Sequence, residues 1–177
     1  PPFFFKMQKK KVNALTKDLV RVVELANLGA YEDALKLCQK IKINHLNNAT
    51  YYNIVGILAR KLGLLDDALS NSKRAIQLDK RLFAAKMNIA NIESEKGNIY
   101  KAIELLEEIL TEQPTYQEAK ANLAIAYKSV GKLKKSLNIY KNLDFRGSWS
   151  LKAKFNYGIT LISSQNYEFG WSYYEYR

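Results

Sequence analysis

Gly29, Gly63, Gly97 and Gly131 stand 34 residues apart, and that interval constrains this chain more than any other feature of it. Gln165 continues the phase without being glycine. Five residues further on the series reads Ala34, Ala68, Ala102, Ser136 and Gly170, all small. Between them lie Tyr31, Leu65, Ile99, Leu133 and Tyr167, all apolar or aromatic. Seven residues before each glycine phase sit Val22, Gly56, Ala90, Ala124 and Gly158, mostly small. Agreement at several independent positions marks an internal repeat. A period of this length means units that stack on their neighbours.

Each unit reads as two helices. "ATYYNIVGILARKLG" and "QEAKANLAIAYKSVG" place apolar residues at i, i+3, i+4 and i+7, the spacing of one helical face. The glycine that follows fits a C-cap, where the chain needs positive φ. "LDDALSNSKRAIQL" and "YKAIELLEEIL" then carry the second helix. Glu32, Asp33, Asp66 and Asp67 fall in first turns, where the helix dipole favours acids. Small residues are expected where two antiparallel helices approach closely, as Gly56 against Ala68. Larger ones, Leu106, Tyr140 and Tyr174, are expected to pack on the next unit. With three prolines and eight glycines in 177 residues, little interrupts such helices.

The period, the paired helices, the small–small contact and "EQPTYQEAKANLAIAYKSVGKLKKSLNIYKNL" resemble the tetratricopeptide repeat (TPR) family. The resemblance covers Thr16 to Arg177. It implies an all-α, right-handed α-solenoid of about five repeats, with a concave face built from the first helices. The repeats are expected at 15–48, 49–82, 83–116, 117–150 and 151–177, the last truncated, after an extension or helix start over 1–14. Departures are local: Gln165 replaces the glycine, Pro114 is the single loop proline of its kind, and "LDFRGSWS" is irregular.

Solenoids of this family work by binding along the concave face. Asn88, Asn122 and Asn156 recur at the period on three successive first helices, while Ile54 and Val20 hold this phase earlier. An amide offers donors and an acceptor, so a row of asparagines can grip an extended peptide backbone without reading its side chains. The ladder resembles the stacked asparagines inside the O-GlcNAc transferase repeats. The alternative is that these amides satisfy neighbouring helix groups or each other. Further groove candidates are Met87, Asn91, Ile125, Lys128, Phe155 and Ile159, each of which could equally serve packing between repeats. A chaperone-tail clamp of Lys, Asn and Arg does not fit, because its phases hold Leu19, Val23, Ile54, Ala84 and Asn88.

"NYEFGWSYYEYR" closes the chain. Gly170, Trp171, Tyr174, Glu175 and Arg177 resemble an ending of bacterial repeat proteins whose repeats lead into a glycosyltransferase, or sometimes a sulfotransferase. That resemblance implies a substrate-recognition arm of a longer enzyme. Packing aromatics of a last helix are the plainer reading. The competing function is a stand-alone assembly scaffold, with self-association through an exposed final repeat.

The chain itself offers no catalytic constellation and no cofactor site. His45 and Cys38 are the single residues of their kinds, so no zinc-ligand cluster exists in the sequence. His45 is expected to be a solvated loop residue, Cys38 a buried thiol, and the Glu107–Glu108 pair solvated. The net charge of +11 falls on the repeats as +5, +3, −3, +5 and +1, so an acidic middle interrupts any basic stripe. Nucleic acid is therefore not the expected partner. No apolar run reaches the roughly 18–20 residues of a membrane span. A lone cysteine and no signal-peptide pattern point to the cytoplasm, and an opening on Pro1 points to a processed product or a fragment.

Overall fold

The structure, a computed structural model, describes residues 17–146 and 150–176. The extension over 1–14, residues 147–149 of the irregular stretch, and Arg177 lie outside the described residues. Every helix or strand element among those described is helical: α1 (Lys17–Asn27), α2 (Tyr31–Ile41), a 3-10 turn (Lys42–His45), α3 (Ala49–Lys61), α4 (Leu65–Leu78), α5 (Phe83–Glu95), α6 (Ile99–Glu112), α7 (Gln117–Ser129), α8 (Leu133–Lys141), α9 (Ser150–Ser163) and α10 (Tyr167–Tyr174).

The periodic glycines end the first helix of each pair, as the sequence requires. Gly29, Gly63, Gly97 and Gly131 have φ of 79°, 76°, 84° and 74°. In each turn the glycine N–H bonds the carbonyl three residues back, as Gly63 to Arg60 at 3.0 Å. The next N–H reaches five back, as Leu64 to Ala59 at 2.9 Å. Paired bonds of this kind satisfy the orphan carbonyls of a helix end. Gln165 makes the same two-bond turn at φ 66°, although it carries a Cβ. The repeat geometry therefore overrides the local preference of the residue.

Two compact units divide the chain, Pro1–Ile92 and Glu93–Arg177, and the division falls inside α5. In the first, α1 packs on α2, α2 on α3, and α3 on α4. Leu19, Val22, Ala34, Cys38, Tyr51, Ile54 and Leu58 form its core. Asn48 caps α3 by accepting the Tyr51 N–H at 3.0 Å, and the Tyr51 hydroxyl donates to the Cys38 carbonyl at 2.9 Å. His45 corrects an expectation. It is 3% exposed and stacks on Tyr51 with ring centroids 5.4 Å apart. The 3-10 turn folds the loop back onto the start of α3, and the Tyr51 ring supplies a flat apolar surface for the imidazole.

In the second unit α6 packs on α7, α7 on α8, α8 on α9 and α9 on α10. Ala121, Ala124, Tyr140, Leu143 and Ala153 form a buried cluster with Phe145 and Tyr157 against it. The expected small–small approach is carried by Ser136, whose hydroxyl donates to the Ala124 carbonyl at 2.7 Å. Leu106 and Tyr140 are buried, as expected of residues covered by a following helix. Tyr140 stacks on Tyr157 of α9 at 5.1 Å. Tyr174 lies 5.2 Å from Phe155 and 5.5 Å from Trp171.

Candidate functional site

In the first unit the phase of Asn88 is built from a missing side chain. A Cβ on Gly56 would stand 2.5 Å from Ser72 Oγ, 3.1 Å from the Ala68 carbonyl and 3.2 Å from Asn88 Nδ2. The glycine thus brings α3 onto α4 and leaves room for a buried bond, Asn88 Nδ2 donating to Ser72 Oγ at 2.8 Å. The other end of the amide accepts from Arg60 Nε at 2.8 Å. A guanidinium only donates, so Arg60 sets which way the amide points. Asn88 is 3% exposed, and Met87 beside it 4%. Asn88 accordingly holds Arg60 and Ser72 together, and Asn91, one turn on, is half-buried.

The other two rungs of the ladder stand in the second unit and differ from the first. Asn122 and Asn156 are half-buried on α7 and α9. Asn88 bonds a serine 16 residues before it. The residue at the same offset is Leu106 for Asn122 and Tyr140 for Asn156. The Tyr140 hydroxyl is buried with no hydrogen-bond partner. Asn156 Nδ2 instead donates to the Lys152 carbonyl of its own helix at 2.8 Å. Ile125, Lys128, Phe155 and Ile159 are half-buried on the same two helices. Burial lowers the pKa of the Lys128 ammonium. Identical residues at one phase thus meet different partners, Asn88 side chains of α3 and α4 and Asn156 a carbonyl of its own helix.

Arg60, Ser72 and the buried Asn53 were not singled out by the sequence, although a signal existed for the first. Arg60 lies two periods before Lys128, on the same phase of a first helix. Asn53 is buried with its Oδ1 unpartnered. Glu107 and Glu108 are exposed, as expected, and the Glu107 carboxylate also accepts the Tyr127 hydroxyl, which together with burial pushes that phenol up to about 12. Burial pushes the Cys38 thiol to about 12 as well, so it carries almost no thiolate at neutral pH. Among the described residues no three His, Cys, Asp or Glu side chains are grouped to hold a metal ion, and no helix is long and apolar enough to cross a membrane.

Antiparallel helix pairs closed by left-handed turns at a 34-residue period define a helical-repeat protein. Solved structures share this arrangement. TTC0263, a thermophilic TPR protein in Thermus thermophilus, superposes with a TM-score of 0.77 at 19% identity, over 89% of this chain and 87% of that one. MamA, residues 41 to the end, from Desulfovibrio magneticus, gives 0.69 at 17% identity, over 89% of each chain. YrrB, described as a TPR protein with an unusual peptide-binding site, gives 0.60 at 15% identity, over 88% of this chain and 80% of that one. The chain therefore has the TPR fold, an α-solenoid. No family model and no curated protein matches it.

Proposed function

We propose that this chain is a non-catalytic protein-binding module whose first-helix faces hold an extended peptide. The observation that carries the reading is the pair Asn122 and Asn156, half-buried at one phase of neighbouring first helices in a single unit. Ile125, Lys128, Phe155 and Ile159 stand on the same two helices, and Asn91 is a separate candidate on α5. Asn88 acts through Arg60, which it positions. YrrB's description as peptide-binding lends support by fold alone. The test is selection from a random dodecapeptide display library. Enriched peptides should lose binding more than tenfold to the double variant Asn122→Ala/Asn156→Ala, with helix content by circular dichroism retained. Unchanged affinity, or no enrichment, overturns the reading.

Exposed aromatics on α10 favour a second reading, assembly. Tyr167, Phe169 and Trp171 are each more than half exposed. Light scattering over a dilution series decides it, because self-association that persists at nanomolar chain supports assembly. A narrower form of the first reading makes the chain the recognition arm of a longer transferase. It rests on the order Gly170, Trp171, Tyr174, Glu175 and Arg177, and the native coding sequence beyond Arg177 tests it.

A further inference from the structure

In the second unit some cations are ion-paired and others lie over aromatic rings, Lys154 over Tyr176 at 4.5 Å among them. Lys101 is neutralised by Glu93 at 2.6 Å, and Arg146 by Asp144 at 2.6 Å. Lys132 and Lys135, at the start of α8, are held by rings. Lys132 Nζ lies 5.6 Å from the centroid of Tyr100 and 5.9 Å from that of Tyr127, and Lys135 Nζ lies 5.2 Å from Tyr127. Lys134 is exposed between them. Tyr127 is itself fixed, buried on α7 with its hydroxyl bonded to Glu107 of α6. Tyr100 is 64% exposed beside the lysines.

An aromatic face attracts an ammonium without neutralising it. The cluster across α6, α7 and α8 therefore narrows the freedom of two lysines and leaves their charge in place. Pre-ordered, uncompensated charge is what a complementary surface needs, because less side-chain entropy is lost on contact. The position is also distinct from the amide rungs of α7 and α9: it sits at the turn between α7 and α8.

We infer that Lys132, Lys134, Lys135 and Tyr100 form a docking surface for an acidic segment of a protein partner. The limits of the patch select this occupant over nucleic acid. Along α6 the surface becomes acidic, with exposed Glu104, Glu107, Glu108 and Glu112. A phosphate backbone running on from the lysines would meet these carboxylates, whereas a short acidic segment need not reach them. The Tyr127 ring is buried and closed to a base, so Tyr100 is the one ring of this patch on which a base could stack, and the oligothymidylate comparator below tests it.

The probe is an amidated, fluorescein-labelled hexaglutamate peptide, with hexalysine and a twelve-residue oligothymidylate as comparators. Anisotropy is read on the full chain at low salt. Hexaglutamate should bind, and Lys132→Gln/Lys135→Gln should weaken it at least tenfold. Lys73→Gln/Lys80→Gln makes the same change in net charge on exposed lysines of α4 and the turn after it, and should leave binding within twofold. Equal weakening by both pairs would mean diffuse attraction and overturn the inference. So would oligothymidylate binding more tightly than hexaglutamate with the same dependence on Lys132 and Lys135, or no binding of hexaglutamate at all. The display-library result on Asn122 and Asn156 is independent of each outcome.

Discussion

Gly158 of α9 and Gly170 of α10 lie backbone against backbone. A Cβ on Gly158 would stand 2.9 Å from the Gly170 carbonyl oxygen and 2.7 Å from the Tyr174 nitrogen. One on Gly170 would stand 3.3 Å from the Gly158 carbonyl. Main chain, unlike a flexible side chain, cannot swing aside. Gly158→Ala should therefore part the two helices and cost about 1–3 kcal/mol, the usual range for overpacking. Urea denaturation measures it. A midpoint unchanged from the parent chain would show that α10 contributes little to the packed unit.

Gln165 should respond in the opposite sense. It occupies a left-handed turn that its four counterparts fill with glycine. The strain of an L-residue there, roughly 1–2 kcal/mol, exceeds the extra entropy that glycine loses on folding, roughly 0.5–1 kcal/mol. Gln165→Gly should stabilise the chain by about 0.5–1 kcal/mol. Gly63→Ala is the mirror experiment: its Cβ would meet nothing within 4 Å, so any loss is conformational. Thermal melts of both variants that moved in the same direction would contradict the argument.

Acid should weaken the turn between α5 and α6. Glu93 is almost fully buried, with Oε1 paired to Lys101 at 2.6 Å and Oε2 accepting from Asn98 at 2.8 Å. The Lys101 bond, helped by Asn98 and the nearby Lys96 charge, outweighs burial and holds its pKa below the ordinary value. A depressed folded pKa stabilises fully above the unfolded value, roughly 4.3, and that stability is lost as pH falls through the folded one. Unfolding free energy should fall as the pH drops below about 5, with a shallower slope for Glu93→Gln. Equal slopes would mean that other carboxylates carry the acid sensitivity.

Much of the fold was legible because a repeat states each local rule several times. The glycine phase, the small residues five positions on and the apolar faces each announced an element that the structure contains. His45 was misread because its burial depends on the Tyr51 ring, which lies in the next helix and belongs to no repeated pattern. The asparagine ladder was legible as a series. Its inequivalence was not, since Asn88 bonds Ser72 of the preceding helix whereas Asn156 bonds the Lys152 carbonyl of its own helix.

The amino-acid sequence by itself determined the helices, their pairing and the turns between them. Those depend on residues close in the chain: a period, a left-handed turn, a stripe of apolar side chains. Tertiary structure alone decided which polar groups are engaged. Asn88 is held by Arg60 and Ser72, Glu93 by Lys101 and Asn98, and Lys132 lies between the rings of Tyr100 and Tyr127. The physical reason is range. Helix formation and capping act over a few residues, whereas a hydrogen bond, an ion pair or a cation–ring contact needs a partner that only folding brings within reach.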